Sequence, residues 1–235
     1  MSLINDKNYL MFAYTNEGFL KKAPVGICVE FYGLNLTAKT AEPEERAKAF
    51  GEKGVLLVRP FTNPWSWLNP QSLDITESVI AVLCGKYPGI EGNICVAGGS
   101  MGGYEALMFT VKSKYGLKSC TVKCPICDLE RFAVDDPWRA KTFECAFYEE
   151  GDFEKSLRVH SPVNNIDKMP KIPYRIFQCR GDTIVTKETQ SDVFVEKAKG
   201  VLDVRYFVSD TSEHCVLTDE LNGLYDGSII GSLAE

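Results

Sequence analysis

A chain of 235 residues is about one and a half typical domain lengths, and its 45% hydrophobic, 11% aromatic and 25% charged residues are globular proportions rather than disordered, collagen-like or coiled-coil ones. With 26 basic against 32 acidic residues the net charge is −6, and no run of Lys and Arg could follow a phosphate backbone, which argues against nucleic acid as a partner. The longest apolar stretches, Val55 to Val58 and Val79 to Cys84, fall far short of the roughly 20 residues that a membrane-spanning helix needs, so no membrane association is expected.

Charges near the N-terminus, where a signal peptide would carry its apolar segment, make a cytoplasmic location the expectation. Nine cysteines is an odd number, and Cys28, Cys95, Cys120 and Cys179 sit inside apolar strand-like runs. In a reducing compartment they read as small core residues.

In chain order, β-branched and aromatic runs predict strands at Tyr9 to Tyr14, Val25 to Phe31, Val55 to Arg59, Ile94 to Ala97, Ser119 to Cys124, Tyr174 to Gln178 and Val204 to Val208. Helical periodicity falls between them. One helix opens with Pro43 at a first-turn position, carries Glu44 and Glu45 at its positive end and closes at Gly54. A second is expected to start at Asp74 with Glu77 three residues on, placing Ile75, Val79, Val82 and Leu83 on one face. A third runs from about Glu188 to Lys199 and ends at Gly200. Alternation of this kind predicts parallel strands joined by crossover helices in a single domain, residues 1–235. The stretch from Asp128 to Val163, dense in aromatics such as Phe132, Trp138, Phe143 and Phe147, breaks the pattern. It reads as a cap excursion over one end of the sheet.

Chemistry concentrates in Gly98-x-Ser100-x-Gly102, which follows the strand at Ile94 and precedes the helix-favouring run Tyr104 to Met108. A nucleophile elbow needs this order, because the serine occupies a strained strand-to-helix turn that only small neighbours permit. The turn also sets the Met101 backbone N–H beside any negative charge that develops there. A serine needs a base, commonly a histidine oriented by a carboxylate, and the chain has two histidines. His214, in a polar loop past the last strand, follows the elbow and an acid in the right order; His160 reads as a surface or capping residue. Asp182, just past a strand, is the favoured acid, with Asp128 as its rival and Asp210 read as a turn residue. The order Ser100, Asp182, His214 places all three at strand C-terminal ends.

Gly98-x-Ser100-x-Gly102, Gly181-Asp182-x-x-Val185 and His214 resemble the α/β-hydrolase superfamily, and the Gly-Gly-Ser-Met-Gly-Gly elbow with Ser161-Pro162 ahead of Lys171-Ile-Pro173 is most similar to its prolyl-oligopeptidase-like esterases and peptidases. The resemblance runs from Val25 onward. It implies a mostly parallel sheet flanked by helices, a small cap insertion, and an N-terminus shortened to about one of the fold's two leading antiparallel strands. It implies a serine hydrolase acting on acyl esters through a Ser-His-Asp triad, with a small acylaminoacyl or oligopeptide peptidase as the alternative and a catalytically silent hydrolase-fold binding protein as a third reading. Small acyl esters or short peptides are the implied substrates, and no metal or organic cofactor is implied. The second oxyanion donor is expected in Phe31-Tyr32-Gly33-Leu34, where Tyr32 offers its hydroxyl, its backbone N–H, or packing alone. Trp65 and Trp67 border the same sheet edge as pocket walls or as ordinary packing. Cys124-Pro-Ile-Cys127 lacks the second pair and the surroundings that a zinc or redox motif requires.

Overall fold

The computed structural model describes residues 3–32 and 43–234. Seven strands, β1 (Ala13–Thr15), β2 (Gly26–Phe31), β3 (Val55–Pro60), β4 (Ile94–Gly99), β5 (Ser119–Lys123), β6 (Pro173–Cys179) and β7 (Asp203–Ser209), form one sheet in the order β1-β3-β2-β4-β5-β6-β7. Among the described residues only the edge strand β1 runs antiparallel, pairing Tyr14 with Arg59. The other neighbours are parallel, with Phe31 opposite Gly98 and Lys123 opposite Phe177. Strand order reverses between β2 and β4, and the crevice beyond the carboxyl ends of such strands is where open α/β sheets place their ligands.

Alternating side chains divide the sheet's two faces. Ile27, Val29, Leu56, Val58, Ile94 and Val96 pack toward helices α2 (Pro70–Lys86), α3 (Met101–Lys112) and α7 (Ser191–Ala198). Cys28, Leu57, Cys95, Ala97, Phe177 and Cys179 pack toward α1 (Glu44–Glu52) and α8 (Asp219–Ala234), meeting Phe50, Tyr225 and Ile229. Burial on both faces is what turns these strands into near-continuous apolar runs.

Three expectations are corrected. Tyr9–Met11 is a turn of 3-10 helix, and the strand begins only at Ala13. Helix α2 starts four residues before Asp74, because Pro70 supplies a preset φ at its first position and the Asn69 side chain accepts the Ser72 N–H at 3.0 Å. Pro43 stands one position outside α1, as its cap. Between β5 and β6 the chain forms α4 (Leu129–Asp135), α5 (Pro137–Ala146) and α6 (Phe153–His160), each capped by the aspartate that precedes it: Asp128, Asp136 and Asp152. Phe132, Phe143 and Phe147 are buried there, whereas Trp138 and Tyr148 are exposed.

Candidate active site

Ser100 stands between the end of β4 and the start of α3, as the helix's N-cap, with φ 57° and ψ −125°, a conformation that costs a non-glycine residue energy and persists where the surroundings enforce it. Two glycines make the turn possible. A Cβ on Gly98 would lie 2.2 Å from the Gly102 carbonyl oxygen, and one on Gly102 would lie 2.2 Å from that of Phe31. The Ser100 N–H donates to the Lys123 carbonyl at 3.0 Å, tying the elbow to the end of β5.

Asp182 and His214 follow β6 and β7. His214 Nδ1 lies 2.6 Å from Asp182 Oδ2, and Oδ1 of the same carboxylate accepts the N–H groups of Ile184 (2.9 Å) and Val185 (3.0 Å). Burial opposes ionisation of Asp182, but the bonds from His214 and these two amides outweigh it and hold the carboxyl below its usual range. Asp128 is spent elsewhere: its side chain caps α4 by accepting the Arg131 N–H at 3.0 Å. Asp210 pairs with Arg180. His160 is not a surface group; it is buried against Phe147, with ring centroids 4.2 Å apart, and meets Glu150 Oε1 at 2.7 Å.

Ser100 and His214 together line two cavities. The smaller, about 120 Å³, is walled by Trp65, Trp67, Met101, Ile126, Phe132 and Val185. Its wall segment is strained: Asn63, Trp65, Trp67 and Leu68 all have positive φ. A buried carboxyl on α3 holds that segment, for Glu105 Oε1 accepts the Ser66 hydroxyl at 2.9 Å and the Leu68 N–H at 3.3 Å. Burial raises the Glu105 pKa to about 7, and those two bonds offset it only in part. Trp67 is both packing and wall, since it is buried edge-on against Tyr104 and Phe143 with its indole N–H donating to Thr142 at 2.9 Å. Trp65 is half-buried and meets Trp138 edge-on.

The larger cavity, about 680 Å³, has polar walls that include Tyr32, Arg46, Arg59, Lys123 and Asp226. Beneath it Glu30 receives Arg46 and Arg59, each at 2.9 Å, while Arg46 also reaches Asp226 at 2.9 Å. Burial works against the Glu30 charge, but the two guanidinium groups overcome it and lower its pKa to about 2. Tyr32 is exposed, its ring 4.5 Å from the Arg59 guanidinium carbon, and its backbone lies against Gly102. Gly33 and Leu34 of the expected donor loop lie outside the described residues. Met101 is the first residue of α3, where a helix leaves its N–H groups without internal partners.

Sequence reasoning missed Lys123, Glu105 and the Glu30 network. Lys123 ends a strand with nothing in its neighbourhood to mark it, yet its ammonium lies 5.3 Å from the Tyr225 ring centroid on the cavity that Ser100 also lines.

No protein-family model and no curated protein matches the chain. Solved structures do. A puromycin hydrolase superposes with a TM-score of 0.65 at 18% identity over 91% of this chain and 33% of its own. The Pyrococcus horikoshii acylaminoacyl peptidase gives 0.69 at 13% identity over 90% and 35%. An S-formylglutathione hydrolase from Agrobacterium tumefaciens gives 0.68 at 19% identity over 90% and 84%. The chain thus spans about a third of the length of the puromycin hydrolase and of the acylaminoacyl peptidase. Among the described residues no helix is long and apolar enough to cross a membrane. With a mostly parallel seven-stranded sheet between helices and these structural neighbours, the chain has the α/β-hydrolase fold.

Proposed function

We propose that this chain is a serine hydrolase that cleaves short acyl esters through an acyl-enzyme intermediate. The observation that carries the reading is the His214–Asp182 contact of 2.6 Å beside a Ser100 held at a left-handed elbow on the same two cavities. Ser100 Oγ attacks the acyl carbon while His214 Nε2 takes its proton. The imidazolium, steadied by Asp182, then returns that proton to the leaving alkoxide, and water repeats the cycle on the acyl-enzyme. The Met101 N–H at the start of α3 and Tyr32 supply the oxyanion donors. The small aromatic cavity, with residues 128–163 as its cap, takes the acyl group, and its volume of about 120 Å³ favours short chains. The polar cavity takes the leaving group. Esters are favoured over amides because an alkoxide departs more readily than an amine.

An acylaminoacyl or oligopeptide peptidase is the second reading, favoured by the peptidase and puromycin-hydrolase neighbours. One assay series separates them. A fluorophosphonate should label Ser100, and Ser100→Ala should abolish labelling and lower kcat by a factor on the order of 10⁶. Labelling that survives the substitution identifies another nucleophile. In a matched panel, esters should exceed aminoacyl amides at least about tenfold in kcat/KM, a gap of roughly 1.4 kcal/mol; an amide that equals the best ester promotes the peptidase.

A further inference from the structure

The Cys124-Pro-Ile-Cys127 segment has no part in that reaction, and its two thiols point to opposite faces of the sheet. Cys127 packs toward the α2/α3 side, 3.6 Å from the Pro125 carbonyl oxygen. Cys124, directly after β5, packs toward the α1/α8 side, its sulfur 3.5 Å from that of Cys179 at the end of β6. A third thiol completes the cluster: Cys215 Sγ lies 3.6 Å from His214 Nε2. Cys124 Sγ, Cys215 Sγ and a His214 ring nitrogen all lie within 4.8 Å of one another. Both cysteines hold left-handed backbone, φ 43° at Cys124 and 61° at Cys215.

This spacing matches a definite coordination chemistry. Tetrahedral zinc, with Zn–S about 2.3 Å and Zn–N about 2.0 Å, sets neighbouring donor atoms roughly 3.5 to 3.8 Å apart. The Cys215–His214 pair already stands at that separation, and Cys124 needs to close by about 1.3 Å at most. Metal-bound histidines commonly donate their other ring N–H to a carboxylate, and here Asp182 receives Nδ1, which leaves Nε2 for the metal. An entry path exists as well, because His214 and Cys215 both line the larger cavity.

We propose that Cys124, His214 and Cys215 form a binding site for one soft divalent cation of the zinc class, and that its occupancy reversibly silences hydrolysis. On binding, each thiol releases its proton to solvent as its sulfur bonds to the metal, and the Nε2 lone pair that would accept the Ser100 proton is engaged. Binding is independent of the hydrolase reading; silencing rests on it.

The test uses the full chain, reduced with a phosphine and stripped by a chelator, in a Cys145→Ser background that removes the one exposed thiol among the described cysteines. Titration with Cd²⁺ should raise a thiolate-to-metal ultraviolet absorption that saturates at one ion per chain, and Zn²⁺ should compete for it. Cys215→Ser and Cys124→Ser should each weaken binding at least tenfold, and Asp182→Asn, which keeps every ligand, should weaken it about 10- to 100-fold. Ser100→Ala should bind the ion unchanged, which separates failure of this site from failure of the nucleophile assignment. Ester hydrolysis should fall in step with occupancy and return on adding chelator, while Mg²⁺ does neither. Absence of the absorption, its persistence at full strength in Cys215→Ser and Cys124→Ser, or full occupancy with undiminished turnover each overturns the proposal.

Discussion

The two walls of the site shift the same buried side chain in opposite directions. On the polar side Glu30 is buried between Arg46 and Arg59 and titrates at about 2; on the aromatic side Glu105 is buried with only a hydroxyl and an amide for company and titrates at about 7. Burial alone disfavours a carboxylate charge, so what separates the two is the presence of a cation. The consequence reaches the walls: an ionised Glu30 ties β2 to α1 and, through Arg46, to α8, whereas Glu105 pins a strained loop by hydrogen bonds that accompany either charge state. One wall is held by fixed charges and the other by shape.

Both walls acquire their meaning from the proposed triad between them, and the largest expected effect tests that frame. Asp182→Asn should lower kcat by a factor on the order of 10³ to 10⁴, because the amide favours the wrong imidazole tautomer. Asp128→Asn keeps an oxygen that can accept the Arg131 N–H, so it should cost no more than a few tenths of a kcal/mol of stability, with little change in kcat. The opposite ranking in steady-state kinetics would move the acid role to Asp128.

Next in size is the polar wall. Glu30→Ala removes the shared partner of Arg46 and Arg59, and breaking a buried pair in this way costs about 3 to 5 kcal/mol, measurable by urea unfolding at pH 7. The pH dependence has a definite sign. Since the folded pKa of about 2 lies below an ordinary glutamate's value, Glu30 contributes stability above about pH 4.3 that disappears as the pH falls toward 2. The variant should therefore lack this acid-side loss, and an identical acid profile would show that the charge does not hold the wall.

Glu105 carries the opposite sign. Its raised pKa means that the folded chain keeps a proton the unfolded chain has lost, so stability should decline between about pH 4.3 and 7, and above 7 the buried charge costs roughly 4 kcal/mol. Glu105→Gln keeps the shape and an acceptor without the charge. At pH 8 it should be more stable than the wild type by up to that amount, with a flatter profile from 4.3 to 7. A variant less stable at pH 8 would mean that the carboxylate is required in its charged form, and the contrast with Glu30 would collapse.

How far these walls were legible in the sequence follows from the same physics. The elbow could be read because its constraints are local: a strand, small residues and a helix start lie within about ten positions of one another. The parallel strands could be anticipated because burial on both faces writes itself into apolar runs, as in Val55 to Val58. Glu30 and Glu105 could not be told apart, since each is one acid inside an apolar segment and their difference lies in Arg46, Arg59 and Ser66, which are 16, 29 and 39 residues away. Cys215 escaped notice for the same reason, because its relation to Cys124 spans the whole distance from β5 to the loop after β7. The start of α2 was misplaced because Asp74 and Glu77 imitate a capping box, while Asn69-Pro70 provides a stronger start one turn earlier.

The smallest expected effect concerns what the aromatic wall selects. Trp65 is only half-buried, whereas Trp67 is locked among Tyr104, Phe132 and Phe143, so Trp65 can be truncated with little damage to the core. Trp65→Ala removes one side of a cavity of about 120 Å³ that already borders Ser100 and Met101, and the space gained lies toward Trp138 on α5. A longer acyl chain then has apolar surface to occupy that the native cavity denies it, while an acetyl group loses nothing it was touching. One or two methylenes in such a pocket are worth about 1 to 3 kcal/mol. The ratio of kcat/KM for hexanoyl over acetyl esters should therefore rise about tenfold, or roughly 1.4 kcal/mol. Lys123→Met, on the opposite wall, should leave that ratio where it was. If the lysine substitution changes acyl-length preference and the tryptophan substitution does not, the acyl group and the leaving group occupy the reverse of the cavities assigned to them.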